Sequence, residues 1–470
     1  MSGGAPLQRV ADLAGRRVVV WGLGREGAAA GRAALRAGAG TVVAVTDAVP
    51  SPAELEAWAE GGLGGVPVRG LDELDSAQAV LLSPGVSCYR PEVAALLGRG
   101  VPVTGGTQLF LAEQRARTVV VTGSKGKSTV TRLTAHLLEA AGREAVAAGN
   151  IGTALLDLLP DLPGDPDAGP LVVAEVSSYQ AALVTSPARA AVLTSLFPDH
   201  LPWHGSLQRY YGDKLRLFAA RPPIRLVNGA DPNVAALLGD PSLAGADTYA
   251  APGSRVRVEG EGLDAAVVVA GVPVLALRGS RLPGVHNRVN VAAAVAVLDA
   301  LGVDVAAERS RLEAALAGFA PLPHRLEPVG TVGGVTFVDD TLATTAQAAV
   351  AACEAYPEQP LTLLAGGLDR GIDYDPLVAH LRERARRTPL TVVAMGTAGE
   401  RIAGGLPGVP VERTDDVADA VRRAAKLTPS GGVVLFSPAA PSPVEYGSYE
   451  RRSAAFATAV RELSGRARDG

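Results

Sequence analysis

The residues best suited to chemistry lie in one glycine-rich stretch, Gly123-Ser124-Lys125-Gly126-Lys127-Ser128-Thr129. A β-branched apolar run, Val119-Val120-Val121, precedes it, and a helical pattern of apolar residues follows. Backbone N–H groups of such a loop point at a phosphate, and the helix N-terminus adds a favourable dipole. Lys127 can reach the β- and γ-phosphates, and the Ser128 hydroxyl can hold Mg²⁺. Although Val121 replaces the usual first glycine, we predict a site for a nucleoside triphosphate rather than an ordinary strand–helix turn.

Carboxylate and imidazole side chains follow two further predicted strands. Glu175 ends a buried strand, where its carboxylate can hold Mg²⁺ directly or through water. His200 also follows a strand, and a neutral imidazole could ligate a second Mg²⁺, although Mg²⁺ prefers oxygen and a lone histidine is more often structural. His204 would complete a zinc pair, but Pro202 interrupts the helix that would place both histidines on one face.

Four further positions are candidates with weaker signals. By its own pattern Lys214 is a solvated helix lysine, and Asn287 is the cap of a helix N-terminus. Arg325 could place its guanidinium on a phosphate. Asp340 ends another predicted strand, where it could bind a ribose or a metal ion.

The N-terminal segment carries a second glycine motif, Gly22-Leu23-Gly24-Arg25-Glu26-Gly27, between a strand and a helix. The acidic Asp47 follows at the spacing of a dinucleotide site, about twenty positions on. The same geometry suits any nucleotide diphosphate. Ser83-Pro84-Gly85 follows another strand and is either a plain β-turn or part of the same site.

Composition limits the class of protein. At 470 residues, with 47% hydrophobic and 20% charged residues, the chain is typical of a globular protein of about three domains. A net charge of −4 and 4% aromatic residues disfavour a nucleic-acid-binding ATPase. The two cysteines, Cys88 and Cys353, lie far apart, which disfavours a disulfide framework and fits a reducing cytosol. Met1 to Leu13 lacks the pattern of a signal peptide, and no apolar run is long enough to span a membrane, so we expect a cytoplasmic protein.

Strand and helix patterns alternate along the chain, which favours an α/β fold with mostly parallel sheets. We expect three domains: a Rossmann-like domain over 1–105, a central P-loop ATPase-type domain over 106–321 and a C-terminal Rossmann-like domain over 322–470. Residues 255–279 alternate short β-prone runs with glycine, as in a small antiparallel hairpin set.

Taken in their order along the chain, these motifs resemble the Mur ligase family of peptidoglycan synthesis. The resemblance covers nearly the whole chain. Beside the glycine-rich loop, the matching blocks are Gly149-Asn150-Ile151-Gly152, Glu175-Val176-Ser177-Ser178-Tyr179-Gln180, Asp199-His200, Lys214-Leu215-Arg216, Leu282-Pro283-Gly284-Val285-His286-Asn287 and Pro323-His324-Arg325-Leu326-Glu327.

The resemblance implies a role for each candidate residue. ATP would bind to residues 123–129, with Lys127 on the phosphates, and to Asn287, Arg325 and Asp340 across a domain cleft. One Mg²⁺ would be held by Ser128 and Glu175, and a second by His200 and a carbamylated Lys214. The catalytic group would be Lys127, Glu175, His200 and Lys214.

The resemblance also reassigns the N-terminal motif from a dinucleotide to a UDP-sugar. The implied UDP-sugar residues are Gly22, Leu23, Gly24, Arg25, Glu26, Asp47, Ser83, Pro84, Gly85 and Asn150. The implied amino-acid-binding residues are Thr344, Arg370, Ser442 and Tyr449.

The implied reaction is ATP-driven amide formation between UDP-N-acetylmuramoyl-L-alanine and glutamate through an acyl phosphate. Two departures from the family pattern fall in the third segment: Leu342 and Arg370 stand where the glutamate-adding members have lysines. An arginine fork demands another geometry from a carboxylate than a lysine does. We therefore expect L-glutamate as the added amino acid, with D-glutamate as the alternative, and an epimerase acting on the product of a monomeric enzyme.

Two other interpretations are weaker. Folylpolyglutamate synthase shares the ATP loop and the modified lysine but lacks the N-terminal segment from Arg17 to Asp47. A non-catalytic nucleotide-binding regulator would be favoured by the loss of Lys127, Glu175, His200 or Lys214, and all four are present.

Overall fold

The computed structural model describes residue 7 and residues 9–165, 168–443 and 446–466. Residues 1–6 and 8, which contributed to the expectation about targeting, lie outside this part of the chain. The described residues divide into two compact units. The first comprises the chain up to Gly279 together with Val289–Ala317, and the second comprises Ser280–Arg288 and the chain from Gly318 onward.

The first unit opens with a five-stranded sheet in the order β3-β2-β1-β4-β5, in which all neighbours are parallel. Its strands are β1 Arg17–Trp21, β2 Thr41–Val45, β3 Val68–Arg69, β4 Ala79–Leu82 and β5 Val103–Thr104. The helices of this part are α1 Arg25–Arg36, α2 Pro52–Trp58, α3 Pro91–Gly98 and α4 Gly106–Gln114. Strand order reverses between β1 and β4, and ligands bind at such a switch point in open α/β sheets.

The first unit also contains a nine-stranded sheet in the order β14-β13-β12-β11-β10-β9-β6-β8-β7. Its strands are β6 Thr118–Thr122, β7 Ala145–Gly149, β8 Leu171–Glu175, β9 Ala190–Leu193, β10 Ile224–Asn228, β11 Asp247–Tyr249, β12 Val256–Glu259, β13 Ala266–Val269 and β14 Val272–Ala276. The pairs from β7 to β12 are parallel, and β12, β13 and β14 form an antiparallel edge. The hairpin set predicted over 255–279 is therefore confirmed.

The helices around this sheet are α5 Lys127–Ala140, α6 Leu155–Leu158, α7 Ser178–Ala181, α8 Leu201–His204, α9 Leu207–Ala219, α10 Pro232–Ala236, α11 Val285–Ala300 and α12 Arg309–Gly318. Helix α11 begins at Val285, two residues before Asn287, which the sequence predicted as its cap, and contributes residues to both units.

The second unit carries a six-stranded sheet in the order β15-β16-β20-β17-β18-β19, parallel except for the β15–β16 pair. Its strands are β15 Glu327–Val332, β16 Val335–Asp339, β17 Leu361–Gly366, β18 Leu390–Met395, β19 Val411–Arg413 and β20 Val433–Phe436. Its helices are α13 Ala346–Glu354, α14 Asp375–Ala385, α15 Gly396–Gly404, α16 Val417–Leu427 and α17 Tyr449–Arg466.

Short 3₁₀-helical segments and one π-turn lie before or between these elements, at Val10–Leu13, Ala59–Leu63, Leu71–Ser76, Arg115–Arg117, Leu159–Asp161, Pro241–Leu243 and Gly262–Asp264. The central strands are rich in valine, leucine and alanine and are buried along most of their length. Strands covered on both faces carry such continuous apolar runs. The prediction of an α/β fold with three mostly parallel sheets is confirmed, while the boundaries at 105/106 and 321/322 stay predictions.

Candidate active site

The glycine-rich loop joins the end of β6 to the start of α5, as the sequence predicted. Gly123 and Gly126 have φ angles of 146° and 85°, which L side chains rarely adopt. A Cβ atom on Gly123 would lie 2.0 Å from Thr194 Oγ1, and one on Gly126 would lie 2.6 Å from Asn290 Oδ1. Gly123 therefore needs glycine for conformation and for space, because its Cβ atom would also lie 2.9 Å from the Ser195 nitrogen, and Gly126 needs glycine for its conformation.

Residues at the end of the neighbouring strand β9 hold this loop in place. Thr194 Oγ1 donates to the Lys125 carbonyl at 2.6 Å, and the Lys125 N–H donates to Ser195 Oγ at 3.0 Å. The Ser124 hydroxyl donates to the Phe197 carbonyl at 2.9 Å. The loop is thus fixed by its surroundings before any ligand binds.

Two lysine side chains converge on the carbonyl oxygen of Gly123. Lys127 Nζ donates to it at 3.0 Å, and Lys214 Nζ, from α9, donates to it at 2.8 Å. Lys214 is 2% exposed, so the solvated lysine that its own pattern predicted is wrong. Burial, and next the charge of Lys127, lower the pKa of Lys214 well below its usual value. A lysine in this environment favours the neutral amine.

Glu175 ends β8 directly beside the loop, since it pairs with Val121 of β6. Its side chain is buried, and Asn150 Nδ2 donates to Oε1 at 2.7 Å. Among the described residues Glu175 Oε2 has no hydrogen-bond partner. A buried carboxylate oxygen without a partner is costly, and a cation would satisfy it.

His200 precedes α8 with a left-handed backbone, φ 53° and ψ 27°. Its ring lies 3.5 Å from Asp199 Oδ2, measured from Nε2, and half of the side chain is exposed. Burial of the other half of the side chain is the main cause that lowers the pKa of His200, and the charge of nearby Lys214 also lowers this pKa. The neutral imidazole that results is the form that ligates metal ions.

His204 is committed to other partners. Its Nδ1 lies 2.6 Å from Asp213 Oδ2, and its Nε2 lies 2.9 Å from Ser178 Oγ. Pro202 lies in the first turn of α8, where proline is tolerated. With both ring nitrogens in hydrogen bonds, His204 does not form the zinc pair that the sequence left open.

The donor set fits Mg²⁺ rather than zinc, since carboxylate and hydroxyl oxygens are its preferred ligands. Glu175 Oε2 is the unsatisfied group that such an ion would complete. Ser128, 4% exposed in the first turn of α5, follows the lysine of the loop. Ser128 and Glu175 therefore fit the Mg²⁺ ion that the sequence predicted. Their role as its ligands stays a prediction.

The second glycine motif begins α1 after β1. Gly22 has a φ of 105°, and a Cβ atom on Gly27 would lie 1.9 Å from the Gly22 carbonyl oxygen. Arg25 donates to the carbonyls of Gly149 and Gly152, each at 2.8 Å. Arg25 thus joins the N-terminal motif to the end of β7, the segment that also carries Asn150.

The other residues of the N-terminal segment predicted to bind a UDP-sugar lie at the same edge of the first sheet. Asp47, after β2, forms a 2.7 Å ion pair with Arg90. Glu26, Ser83 and Pro84 line a small cleft together with residues of α7 and α8. Burial is the main cause that raises the pKa of Glu26. Asn150, predicted for the same ligand, instead donates to Glu175 in this structure.

In the second unit, Asp340 follows β16 and is 8% exposed. It accepts from Ser437 Oγ at 2.7 Å and from the Leu326 N–H at 3.2 Å. Burial raises its pKa to about 7. Asn287 donates to the Pro283 carbonyl at 2.6 Å rather than capping a helix start. The proposed part of Asp340, Asn287 and Arg325 in ATP binding is not tested by these contacts.

The residues predicted to bind the amino acid also belong to the second unit. Thr344 and Ser442 are half-buried, and Arg370 is exposed in the loop after β17. The Tyr449 ring packs edge-on against His324, with centroids 5.6 Å apart. Leu342, the other departure from the family pattern, is half-buried.

Sequence reasoning missed Arg452, which is fully buried one turn after the start of α17. It donates to the Gly366 carbonyl at 2.8 Å, while its Nε and Nη1 have no partner among the described residues. Burial lowers its pKa to about 10. The available signal was an arginine three residues after Tyr449, on the face of α17 that also carries Phe456.

Comparisons with known proteins agree with this architecture. Residues 121–298 match the Mur ligase middle domain, and residues 324–440 match the Mur ligase glutamate ligase domain. A Micromonospora protein named UDP-N-acetylmuramoyl-L-alanine–L-glutamate ligase is 46% identical over 97% of this chain and 99% of its own length. A protein of the same name from Xanthomonas campestris pv. campestris is 38% identical over 96% of each chain.

The chain belongs to the Mur ligase family, and the resemblance inferred from its motifs is confirmed. Solved structures with the same fold include the UDP-N-acetylmuramate–alanine ligase MurC of Thermotoga maritima, with a TM-score of 0.60 at 20% identity, covering 95% of this chain and 99% of that one. The Thermotoga maritima MurF ligase solved with ADP has a TM-score of 0.58 at 18% identity, covering 97% of each chain. Within the described residues, no helix is both long and apolar enough to cross a membrane.

The loop geometry predicts that Gly126→Ala abolishes nucleotide binding. The new methyl group meets Asn290 Oδ1, and the positive φ adds strain of about 1–3 kcal/mol, so the loop or the Asn290 side chain must shift. The matched control is Gly142→Ala, because Gly142 has a φ of 77° but open space around a Cβ atom. Calorimetry with a non-hydrolysable ATP analogue should detect binding to the control and none to Gly126→Ala. Equal affinities for the two variants would contradict the assignment of this loop.

Proposed function

We propose that this protein is an ATP-dependent ligase that adds L-glutamate to UDP-N-acetylmuramoyl-L-alanine. The observation that supports this proposal most strongly is that Lys127, Lys214 and Glu175 meet at one glycine-rich loop. The chain is also similar over 97% of its length to a protein named for that reaction. The proposal concerns peptidoglycan precursor synthesis, in agreement with the family.

The proposed reaction has two steps on one substrate carboxylate. The alanine carboxylate attacks the γ-phosphorus of ATP, which gives an acyl phosphate and releases ADP. The glutamate amine then attacks the acyl carbon and loses a proton, and inorganic phosphate leaves. Phosphoryl transfer depends on alignment and on charge neutralisation more than on covalent help from the protein.

Each group of the loop has a part in this scheme. The backbone N–H groups of residues 123–129 and the Lys127 ammonium bind and orient the phosphates. Ser128 and Glu175 would hold one Mg²⁺, and His200 and a modified Lys214 a second. Bound there, Mg²⁺ would neutralise phosphate charge during transfer. Asn287, Arg325 and Asp340 are proposed to complete the ATP site.

Carbamylation of Lys214 is part of the proposal. Two ammonium groups on one carbonyl oxygen repel each other, and a buried neutral amine is the form that reacts with CO₂. The carbamate would exchange a cation for an oxygen-bearing anion, which suits a hard metal ion. The buried position beside Glu175 and Lys127 supports this assignment.

Substrate selection is proposed to be divided along the chain. Residues 1–105 would bind the UDP-sugar through Gly22, Leu23, Gly24, Arg25, Glu26, Asp47, Ser83, Pro84 and Gly85, assisted by Asn150. Residues 106–321 would bind ATP, and residues 322–470 would bind glutamate through Thr344, Arg370, Ser442 and Tyr449. Arg370 and Leu342 are proposed to favour the L enantiomer, because a planar guanidinium accepts a carboxylate in another position than an ammonium does.

The surroundings of the reaction complete the proposal. ATP and a nucleotide-linked sugar are cytoplasmic reactants, so we place the enzyme in the cytoplasm. We expect the enzyme to be a monomer. We expect the next reaction to be carried out by an epimerase that acts on the L-glutamyl product.

Phosphate release tests the activity directly. The purified protein with ATP, Mg²⁺ and UDP-N-acetylmuramoyl-L-alanine should release phosphate on addition of L-glutamate and not of D-glutamate. Arg370→Lys should raise the KM for L-glutamate about tenfold or more, with the KM for ATP unchanged. Turnover with D-glutamate alone would show that the enantiomer is assigned wrongly, and turnover with neither would refute the proposed function.

A labelled carbamate tests the modification of Lys214. The sequence contains four lysines, Lys125, Lys127, Lys214 and Lys426. In ¹³C-bicarbonate, the wild type should give one carbamate signal in the ¹³C NMR spectrum. Lys214→Ala should remove this signal, and Lys426→Ala should retain it. A signal that survives in Lys214→Ala, or its absence from an active wild type, would exclude the carbamate.

A further inference from the structure

A chain of hydrogen bonds runs from Tyr89, which is 37% exposed, into the interior of the first unit beside the proposed metal site. The Tyr89 hydroxyl donates to Asp213 Oδ1 at 2.6 Å. The other oxygen of Asp213 lies 2.6 Å from His204 Nδ1, and His204 Nε2 lies 2.9 Å from Ser178 Oγ. His204 is fully buried, and Asp213 and Ser178 are each 2% exposed.

The chemistry of Asp213 fixes the direction of every bond in this chain. A carboxylate only accepts hydrogen bonds, so Tyr89 and His204 Nδ1 must both donate to it. A neutral His204 then has its lone pair on Nε2, and the Ser178 hydroxyl donates to that atom. One arrangement of protons therefore satisfies all four side chains, and the network holds them in one geometry.

The four residues come from four separate segments. Tyr89 lies in the loop after β4, which begins with Ser83-Pro84-Gly85. His204 ends α8, and Asp213 precedes Lys214 on α9. Ser178 starts α7, three residues after Glu175.

Two further hydrogen bonds fasten the same loop to α8. Trp203 Nε1 donates to the Pro84 carbonyl at 3.0 Å, and Ser87 Oγ donates to the Trp203 carbonyl at 2.9 Å. The Trp203 ring stacks on Tyr179 at 4.6 Å between centroids. The loop that is proposed to bind the sugar nucleotide is therefore joined by side chains to the segments that carry Glu175 and Lys214.

We propose that Tyr89, Asp213, His204 and Ser178 are positioning residues that set the loop after β4 relative to the side chains of the metal site. This inference rests on the proposed function, since the loop is taken to bind the sugar nucleotide whose carboxylate is phosphorylated. None of the four touches the reacting atoms in this account. They act through the loop and through helix α9.

The physical effect follows from helix geometry and from the demands of phosphoryl transfer. Successive residues of an α-helix point about 100° apart, so holding Asp213 fixes the rotation of α9 and the direction of Lys214. The acceptor carboxylate must lie in line with the γ-phosphate, and a displacement of about 1 Å can cost a hundredfold in rate. The hydrogen-bonded chain of Tyr89, Asp213, His204 and Ser178, called the relay below, thus acts on kcat more than on the binding of either nucleotide.

Steady-state kinetics of Tyr89→Phe test this inference, with Tyr211→Phe as the matched control. Tyr211 lies on α9 two residues before Asp213 and is outside the chain of hydrogen bonds. With the glutamate enantiomer that the wild type accepts, we expect kcat of Tyr89→Phe to fall about tenfold to a hundredfold. The KM values for ATP and the UDP substrate should change less than threefold, and Tyr211→Phe should match the wild type. Equal kcat values for the two variants would overturn the inference.

Two further comparisons separate positioning from general stabilisation. Asp213→Asn keeps an acceptor and the shape of the side chain, so it should retain more activity than Asp213→Ala. In a double-mutant cycle, Ser178→Ala should cost little more once Tyr89→Phe is present, because both break the same chain. Additive effects, or equal losses for the two Asp213 variants, would contradict the relay. A wild type active with D-glutamate alone would refute only the proposed L specificity, and a wild type inactive with both would refute the function and the relay together.

Discussion

The carbonyl oxygen of Gly123 accepts hydrogen bonds from Lys127 and Lys214, and the rest of the candidate active site depends on this convergence. It brings a side chain from α9, distant in sequence, to the first turn of α5. Two ammonium groups on one oxygen are unfavourable, so Lys214 favours its neutral form unless negative charge compensates for it. Glu175 supplies part of that charge, and its Oε2 has no hydrogen-bond partner in the part of the chain that the structure describes. Phosphates, metal ions and a carbamate would supply the remainder.

The parallel sheet explains why these groups meet. Strands β6, β8 and β9 are neighbours, and their carboxyl ends place the glycine-rich loop, Glu175 and Thr194 at one edge. Glycine at 123 and 126 lets the backbone pass between Thr194 and Asn290, where a Cβ atom has no room. The fold therefore supplies a rigid loop, and the long side chains of Lys127 and Lys214 need only reach its carbonyl.

Local pattern was sufficient for the parts of the site that are built from consecutive residues. The strand–loop–helix at 118–140, the position of Glu175 at a strand end and the antiparallel edge over 255–279 were all predicted correctly. Pattern alone was wrong for Lys214, because its burial depends on the packing of α9 against residues far away in sequence. The order of motifs, through family resemblance, identified the residue. Neither route found Tyr89, Asp213 or Arg452, whose partners are set by tertiary contacts and carry no local spacing.

The central claim is that the Glu175 carboxylate binds Mg²⁺ beside the glycine-rich loop and supplies negative charge to the site that contains Lys127 and Lys214. Phosphate release should be measured as a function of Mg²⁺ concentration for Glu175→Gln and for Glu139→Gln, an exposed glutamate on α5 that serves as the control. The account predicts that Glu175→Gln lowers kcat about a hundredfold or more and shifts the Mg²⁺ dependence to higher concentration, while Glu139→Gln matches the wild type. Wild-type turnover with unchanged Mg²⁺ dependence in Glu175→Gln would contradict it.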